Sequence, residues 1–116
     1  MPDRTRLIGV AAFFLVAASL SVSAAGDPER GAILADTCMG CHGISDYRNG
    51  YPSYRVPKLA GQHEDYMREV MMQYKNQTRT DPVMQGQAQI LTDEGIADLA
   101  AFYAAQPGLF TVQYTR

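Results

Sequence analysis

The sequence contains no tryptophan, only two cysteines and two histidines, and few large aliphatic residues. Its 10 lysines and arginines are scattered and are outnumbered by 12 aspartates and glutamates. A nucleic-acid-binding protein is expected to carry a stripe of basic residues, so this charge balance argues against that class. The length of 116 residues suits one domain and is too short for two.

The first 25 residues differ in character from the rest of the chain. Arg4 and Arg6 precede an apolar run over residues 7–22, and small residues follow. A basic start, a short apolar run and small residues at its end are typical of a secretory signal peptide. We therefore expect export, with a signal peptide over residues 1–25 and a mature domain over residues 26–116 that is not inserted in a membrane. The alternative is a retained anchor, although the run is shorter than the roughly 20 apolar residues that a spanning helix needs.

Large aliphatic and phenyl side chains are scarce from Gly26 onward. These 91 residues include 15 leucines, isoleucines, valines and phenylalanines. This share lies below the level of about 20% at which highly charged chains are expected to be disordered. The formal charge of this segment is only −3, so we expect a folded domain whose core is short of apolar volume. Disulfides, metals and cofactors are the usual supplements in small domains.

Three helices and no β-strand are predicted from the spacing of apolar residues and from capping residues. The first begins at Asp27-Pro28 and reaches the cysteines, the second runs from about His63 to Gln77, and the third follows Thr92 and ends before Pro107. Loops are predicted over residues 43–62, which are rich in glycine and proline, and over residues 83–91. Pro82 is predicted to break the preceding helix, because proline disfavours helix in the residue before it. Gly31, inside the first helix, is either a tolerated glycine or a point of close approach to another helix. The sequence therefore predicts an all-α fold with long loops.

A C-x-x-C-H motif, Cys38-Met39-Gly40-Cys41-His42, is typical of covalent haem attachment. In a helix, residues at positions i, i+3 and i+4 share one face, so both thiols and the imidazole would point in the same direction. The two thiols could then bond to the two vinyl-derived carbons of one porphyrin, and the imidazole could reach its iron.

Three other interpretations of the motif explain less of the sequence. A structural disulfide leaves His42 without a role. A thioredoxin-like dithiol requires strands around its helix, and none is predicted. A zinc site requires four ligands, and His63 is the only further histidine or cysteine.

Further segments extend the pattern beyond the motif. They are residues 57–63 (PKLAGQH), 81–84 (DPVM), 91–94 (LTDE) and 96–100 (IADLA). With the C-x-x-C-H-G stretch before them, they stand in the order found in class I c-type cytochromes, which the chain resembles. Within that class it is similar to one domain of the bacterial dihaem cytochrome c4 type. The resemblance covers almost all of residues 26–116, with one C-x-x-C-H motif where the dihaem type has two.

The resemblance implies a role for each of five residues in binding one haem c. Cys38 and Cys41 would hold the haem by thioether bonds, and His42 would be the proximal iron ligand. Pro57 would accept a hydrogen bond from the His42 imidazole through its carbonyl, which fixes the ring and raises its basicity. Met84 would be the distal iron ligand. The resemblance also implies that the first and third helices cross, with Gly31 at the crossing.

The position of Met84 in the sequence agrees with a distal ligand. It lies in a segment predicted to be a loop, which could reach over the far face of a haem. Met67, Met71 and Met72 lie on a predicted helix, where methionine commonly fills gaps in a core. Met71 and His63 are the alternative distal ligands.

Taken as a class I cytochrome c, the chain is expected to fold as three main helices and long loops around one covalently bound haem. The resemblance implies a periplasmic electron carrier rather than an enzyme, with the iron bound by His42 and Met84. Its partners would be respiratory or dehydrogenase redox proteins, and we expect a monomer. The alternatives are a haem c subunit of a larger oxidoreductase complex, and a catalytic or sensor haem protein with a labile distal ligand.

Overall fold

A computed structural model of the chain describes residues 25–51 and 53–107. Within these ranges the chain forms four helices: α1 (Pro28–His42), α2 (Glu64–Lys75), α3 (Pro82–Gln89) and α4 (Asp93–Ala104). An isolated antiparallel bridge between Arg48 and Arg55 is the only β-type pairing in this part of the chain. The predicted all-α class is confirmed. The predicted signal peptide lies outside the described residues, apart from Ala25.

None of the helices in residues 25–51 and 53–107 is both long enough and apolar enough to cross a lipid bilayer. The predicted loop over residues 43–62 is confirmed in its described part, which contains no helix.

Lys75, the last residue of α2, donates hydrogen bonds to the carbonyl oxygen of Leu91 at 2.8 Å and to Oδ1 of Asp93 at 2.6 Å. These bonds fasten the end of α2 to the junction between α3 and α4.

The prediction of a loop over residues 83–91 was wrong, because most of this segment is α3. Asp81 caps the helix: its Oδ1 accepts hydrogen bonds from two backbone N–H groups of the first turn, that of Met84 at 3.0 Å. Pro82 occupies the first helical position, where the fixed backbone angle of proline favours helix. Residues 27–28 open α1 in the same way. Pro82 therefore ends the segment after α2, as predicted, and also begins α3, which the sequence prediction missed.

Helices α1 and α4 cross in close contact at Gly31. A Cβ atom placed on Gly31 would lie 2.0 Å from the carbonyl oxygen of Asp98 and 2.8 Å from the Cβ of Phe102. No side chain fits at such distances, so glycine is required for the two backbones to approach. Of the two interpretations of Gly31, close helix approach is confirmed.

A buried carboxylate holds the same crossing. Asp98 is 3% exposed, and it accepts hydrogen bonds from Nε of Arg30 at 2.8 Å and from the backbone N–H of Asp27 at 2.7 Å. Arg30 also donates to Oε1 of Glu94 at 2.7 Å. The hydrogen bond from Arg30, followed by that from the Asp27 N–H, lowers the pKa of the Asp98 carboxyl.

The core is built largely from alanine, methionine and a few larger residues. Two clusters of buried side chains lie among the helices: Ala35, Met67, Leu99, Ala100 and Tyr103 in one, and Met71, Ala88 and Ile96 in the other. Ile33, Val83 and Ile90 are among the large aliphatic residues left out of both clusters, and they are 76%, 59% and 74% exposed. This arrangement agrees with the expected shortage of apolar volume.

Replacing Gly31 by alanine is expected to destabilise the protein by about 1–3 kcal/mol, the usual cost of forcing extra atoms into a packed contact. Gly86→Ala is the matched control, because Gly86 is also helical and has no atom within 4 Å of its added Cβ. That variant should gain up to about 1 kcal/mol, since alanine favours helix over glycine. The free energy of unfolding of each variant is measured by thermal or chemical unfolding, with circular dichroism as the signal. Equal effects of the two substitutions would contradict the close packing assigned to Gly31.

The pKa of Asp98 predicts how stability depends on pH. A carboxyl whose pKa is lower in the folded than in the unfolded state adds stability above its unfolded pKa, which is about 3.9. This contribution is lost as the pH falls through the folded pKa. Asp98→Asn should therefore lower the melting temperature at pH 7 by several degrees, and the difference from wild type should shrink towards pH 3. The exposed Asp65→Asn is the control, and a constant difference for Asp98→Asn at all pH values would refute the assignment.

Candidate haem site

The end of α1 presents the three functional side chains of the C-x-x-C-H motif to one cavity. Cys38, Cys41 and His42 all line it, whereas Met39 and Gly40 between them do not. The two thiols are not joined in a disulfide, and Cys38 is half-buried while Cys41 is exposed. Burial raises the pKa of the Cys38 thiol. The helical spacing predicted from the sequence thus places both sulfur atoms and the imidazole on one wall.

His42 is held by the loop that follows α1. Its Nδ1 lies 2.7 Å from the carbonyl oxygen of Pro57. A carbonyl oxygen only accepts hydrogen bonds, so Nδ1 carries the proton and Nε2 is the nitrogen left with a free lone pair. Burial lowers the pKa of His42, with the Pro57 hydrogen bond acting in the opposite direction. The imidazole is therefore oriented, and its neutral form, the form that binds metals, is favoured.

The cavity has a volume of about 320 Å³, within the range of about 300–1,000 Å³ typical of ligand sites. Its walls are mainly aliphatic and sulfur-containing side chains from all four helices and from the loop before α2. They include Ile33, Leu34, Leu59, Met67, Met71, Val83, Met84, Ile90, Leu91 and Leu99. The exposed aliphatic residues noted above therefore face a cavity that the protein's own side chains leave unfilled.

Several methionines compete for a place opposite His42. Met67, Met71 and Met84 line the cavity, but Met67 and Met71 belong to the two buried clusters, while Met84 is half-buried at their edge. Met84 lies in the first turn of α3, so the prediction that a loop carries it was wrong. His63 is exposed at the start of α2 and does not line the cavity. Among the predicted alternatives, only Met71 shares the cavity with Met84.

These residues fit a covalently held porphyrin. The walls are mainly apolar, as a macrocycle requires, and the two cysteines that line them have the sequence spacing typical of thioether attachment. An oriented imidazole comes from α1, which packs on α4, and a thioether comes from α3, which packs on α2. Ile33, Val83 and Ile90 supply exposed apolar surface that a bound macrocycle would cover. Fold and site together define a small helical domain of the haem-attaching type.

Comparison with known proteins gives the family. The family model described as cytochrome c matches residues 28–104, which extend from the first residue of α1 to the last of α4. The chain belongs to the cytochrome c family.

Individual relatives agree with this assignment. Over 83 residues the chain is 42% identical to cytochrome c4 of Thiocapsa roseopersicina, a match that covers 71% of this chain and 41% of that protein. It is 38% identical over 85 residues to cytochrome c-554(548) of Halomonas halodenitrificans, covering 71% of this chain and 99% of the relative. It is also 34% identical over 74 residues to the cytochrome subunit of sulfide dehydrogenase of Chlorobaculum tepidum, covering 64% of each. The chain thus spans less than half the length of the cytochrome c4 relative it matches.

Membership of the family confirms the predicted cofactor. One haem c is attached through Cys38 and Cys41, with His42 completing the motif. The class I cytochrome c fold is confirmed as well, with α3 as a short fourth helix beside the three that were predicted. The assignments of Pro57 as the partner of His42 in the haem protein and of Met84 as the distal ligand stay predictions.

Loss of haem attachment is expected to abolish cooperative folding. A void of about 320 Å³ at about 24 cal/mol per Å³ corresponds to about 8 kcal/mol. That is comparable with the whole stability of a small domain, about 5–15 kcal/mol. Cys38→Ala combined with Cys41→Ala should therefore show little helical signal by circular dichroism. A cooperative thermal transition in this variant, with no haem detected by mass spectrometry, would show that the core stands without the cofactor.

Proposed function

We propose that this protein is a carrier of single electrons, with an iron bound by His42 and Met84. When bound, the haem supplies one-electron chemistry, because its iron cycles between the ferric and ferrous states. The observation that carries the proposal is that His42 and Met84 line the same apolar cavity from two different helices. A carrier needs both axial positions filled by protein, since an open position would admit oxygen or other small ligands.

The chain's own residues hold the proximal donor in place. The Pro57 carbonyl fixes the ring of His42 through Nδ1 and leaves Nε2 as the donor. Such a hydrogen bond raises the basicity of a ligating imidazole and limits its rotation. A ligand that keeps its position in both oxidation states reduces the rearrangement that accompanies electron transfer.

The distal donor is held by the start of α3. Met84 is in the first turn, where the Asp81 carboxylate accepts its backbone N–H and Pro82 restricts the preceding backbone. Thioether sulfur is a soft ligand that raises the reduction potential of a haem iron relative to imidazole alone. Met71 belongs to a buried cluster, whereas Met84 is only partly buried against it. We therefore assign Met84, rather than Met71, as the sixth ligand.

Further proposals concern the cellular location of the protein and its redox partners. We propose a periplasmic location, which the signal-peptide pattern over residues 1–25 supports. We also propose that the chain acts as a monomer with other redox proteins as donor and acceptor. A second candidate is a haem subunit of a larger oxidoreductase, which the likeness to the cytochrome subunit of sulfide dehydrogenase favours.

The carrier role is tested by spectroscopy of the purified haem protein. We expect a low-spin ferric spectrum at neutral pH, a near-infrared sulfur-to-iron band, and no binding of carbon monoxide to the ferrous form. A high-spin ferric spectrum together with ready carbon monoxide binding would instead identify a catalytic or sensor haem protein. Co-purification of a stoichiometric dehydrogenase subunit would favour the second candidate.

The ligand assignment is tested by Met84→Ala, with Met71→Ala as the matched control from the same cavity. Met84→Ala should lose the near-infrared band, lower the reduction potential and allow the ferrous protein to bind carbon monoxide. Met71→Ala should keep the band and lose stability, by about 2–5 kcal/mol for a buried methionine. If the band survives in Met84→Ala and disappears in Met71→Ala, the assignment is wrong.

A further inference from the structure

A tyrosine joins the two sides of the haem site. The hydroxyl of Tyr54 donates a hydrogen bond to Oδ2 of Asp81 at 2.9 Å. Tyr54 belongs to the loop between α1 and α2 and stands three residues before Pro57, which holds His42. Asp81 caps α3, which carries Met84. The bond therefore connects the loop between α1 and α2, called the proximal loop because it holds His42, with the helix that carries Met84.

The two oxygens of the Asp81 carboxylate have separate tasks. Oδ1 accepts the backbone N–H groups of Val83 at 3.1 Å and Met84 at 3.0 Å. Oδ2 accepts the Tyr54 hydroxyl. Because a carboxylate is rigid and planar, fixing Oδ2 also fixes Oδ1 and with it the first turn of α3. A movement of α3 away from the loop must break the tyrosine bond or the cap.

Tyr54 is itself anchored within its loop. Its carbonyl oxygen accepts the backbone N–H of Asn49 at 3.0 Å, and the N–H of Val56 donates to the carbonyl oxygen of Tyr47 at 2.9 Å. These bonds flank the bridge between residues 48 and 55. The Tyr54 hydroxyl thus extends from backbone that is itself hydrogen-bonded within the loop, so its bond to Asp81 ties α3 to that loop.

The Tyr54 side chain contributes little to the buried core. It is 41% exposed and belongs to neither buried cluster. A hydrogen bond to an ionised acceptor is stronger than one between neutral groups. The hydroxyl is therefore better explained by the restraint it places on Asp81 than by general packing.

We propose that Tyr54 is a positioning residue that holds α3 against the proximal loop and so keeps Met84 on the iron. This proposal rests on the assignment of Met84 under the proposed function. The restraint opposes opening of the distal side and leaves haem attachment untouched, because the thioether bonds are formed by α1.

The test compares Tyr54→Phe with wild type by titrating the ferric haem protein with imidazole, which binds the iron only when the distal ligand leaves. The apparent affinity scales with the population of the open form. Tyr54→Phe removes one charge-assisted hydrogen bond at a partly exposed site, which should raise the apparent imidazole affinity roughly fivefold. The variant should carry one haem by mass and keep its near-infrared band without imidazole. Tyr51→Phe, in the same loop and 98% exposed, should bind imidazole as wild type does.

Asp98→Asn serves as a second control, because it weakens the α1–α4 crossing through hydrogen bonds to Asp27 and Arg30 and not to α3. It should lower overall stability with less than a twofold change in imidazole affinity. Wild-type imidazole affinity in Tyr54→Phe, or an equal increase in Asp98→Asn, would overturn the proposal. Failure of the Met84 assignment would show separately, since Met84→Ala would then keep its near-infrared band. A large increase in imidazole affinity in Met84→Ala with no increase in Tyr54→Phe refutes the restraint by Tyr54 and leaves the assignment of Met84 standing.

Discussion

A cavity that the protein's own side chains leave open governs the rest of the structure. The four helices bury mostly alanine and methionine, and they turn several of their largest aliphatic residues towards this space. Apolar surface left facing water opposes folding at about 25 cal/mol per Å². A covalently attached haem removes that surface from water, and it cannot dissociate from the fold it completes. The cofactor is therefore a part of the core as well as the reactive group.

The helices around the cavity are held by a small number of specific contacts rather than by a large core. Gly31 lets α1 approach the backbone of α4, and the buried carboxylate of Asp98 joins Arg30 to the same crossing. On the other side, Lys75 fastens α2 to the start of α4. Gly31, Arg30, Asp98 and Lys75 do not line the cavity, so these contacts leave its walls free to face the haem.

Hydrogen bonds from one loop reach both His42 and the cap of α3. Pro57 orients His42, and Tyr54, from the same loop, reaches the carboxylate that caps α3. With iron bound by His42 and Met84, as proposed, this one loop would restrain both ligands. Long segments with little regular structure in small domains are commonly functional, and this one contributes hydrogen bonds to two sides of the cavity.

The sequence by itself determined the helical class, the shortage of core volume and the haem-attaching motif, because each depends on composition or on spacing within a few residues. The motif acts through neighbours on one helical face, so Cys38, Cys41 and His42 could be placed without knowing the fold. The start of α3 was also encoded locally, in Asp81 and Pro82, but the proline was interpreted only as a breaker. Only the tertiary structure decided which methionines reach the cavity and which contacts hold the helix of Met84. Those facts depend on contacts between residues far apart in the chain, whose geometry no local pattern specifies.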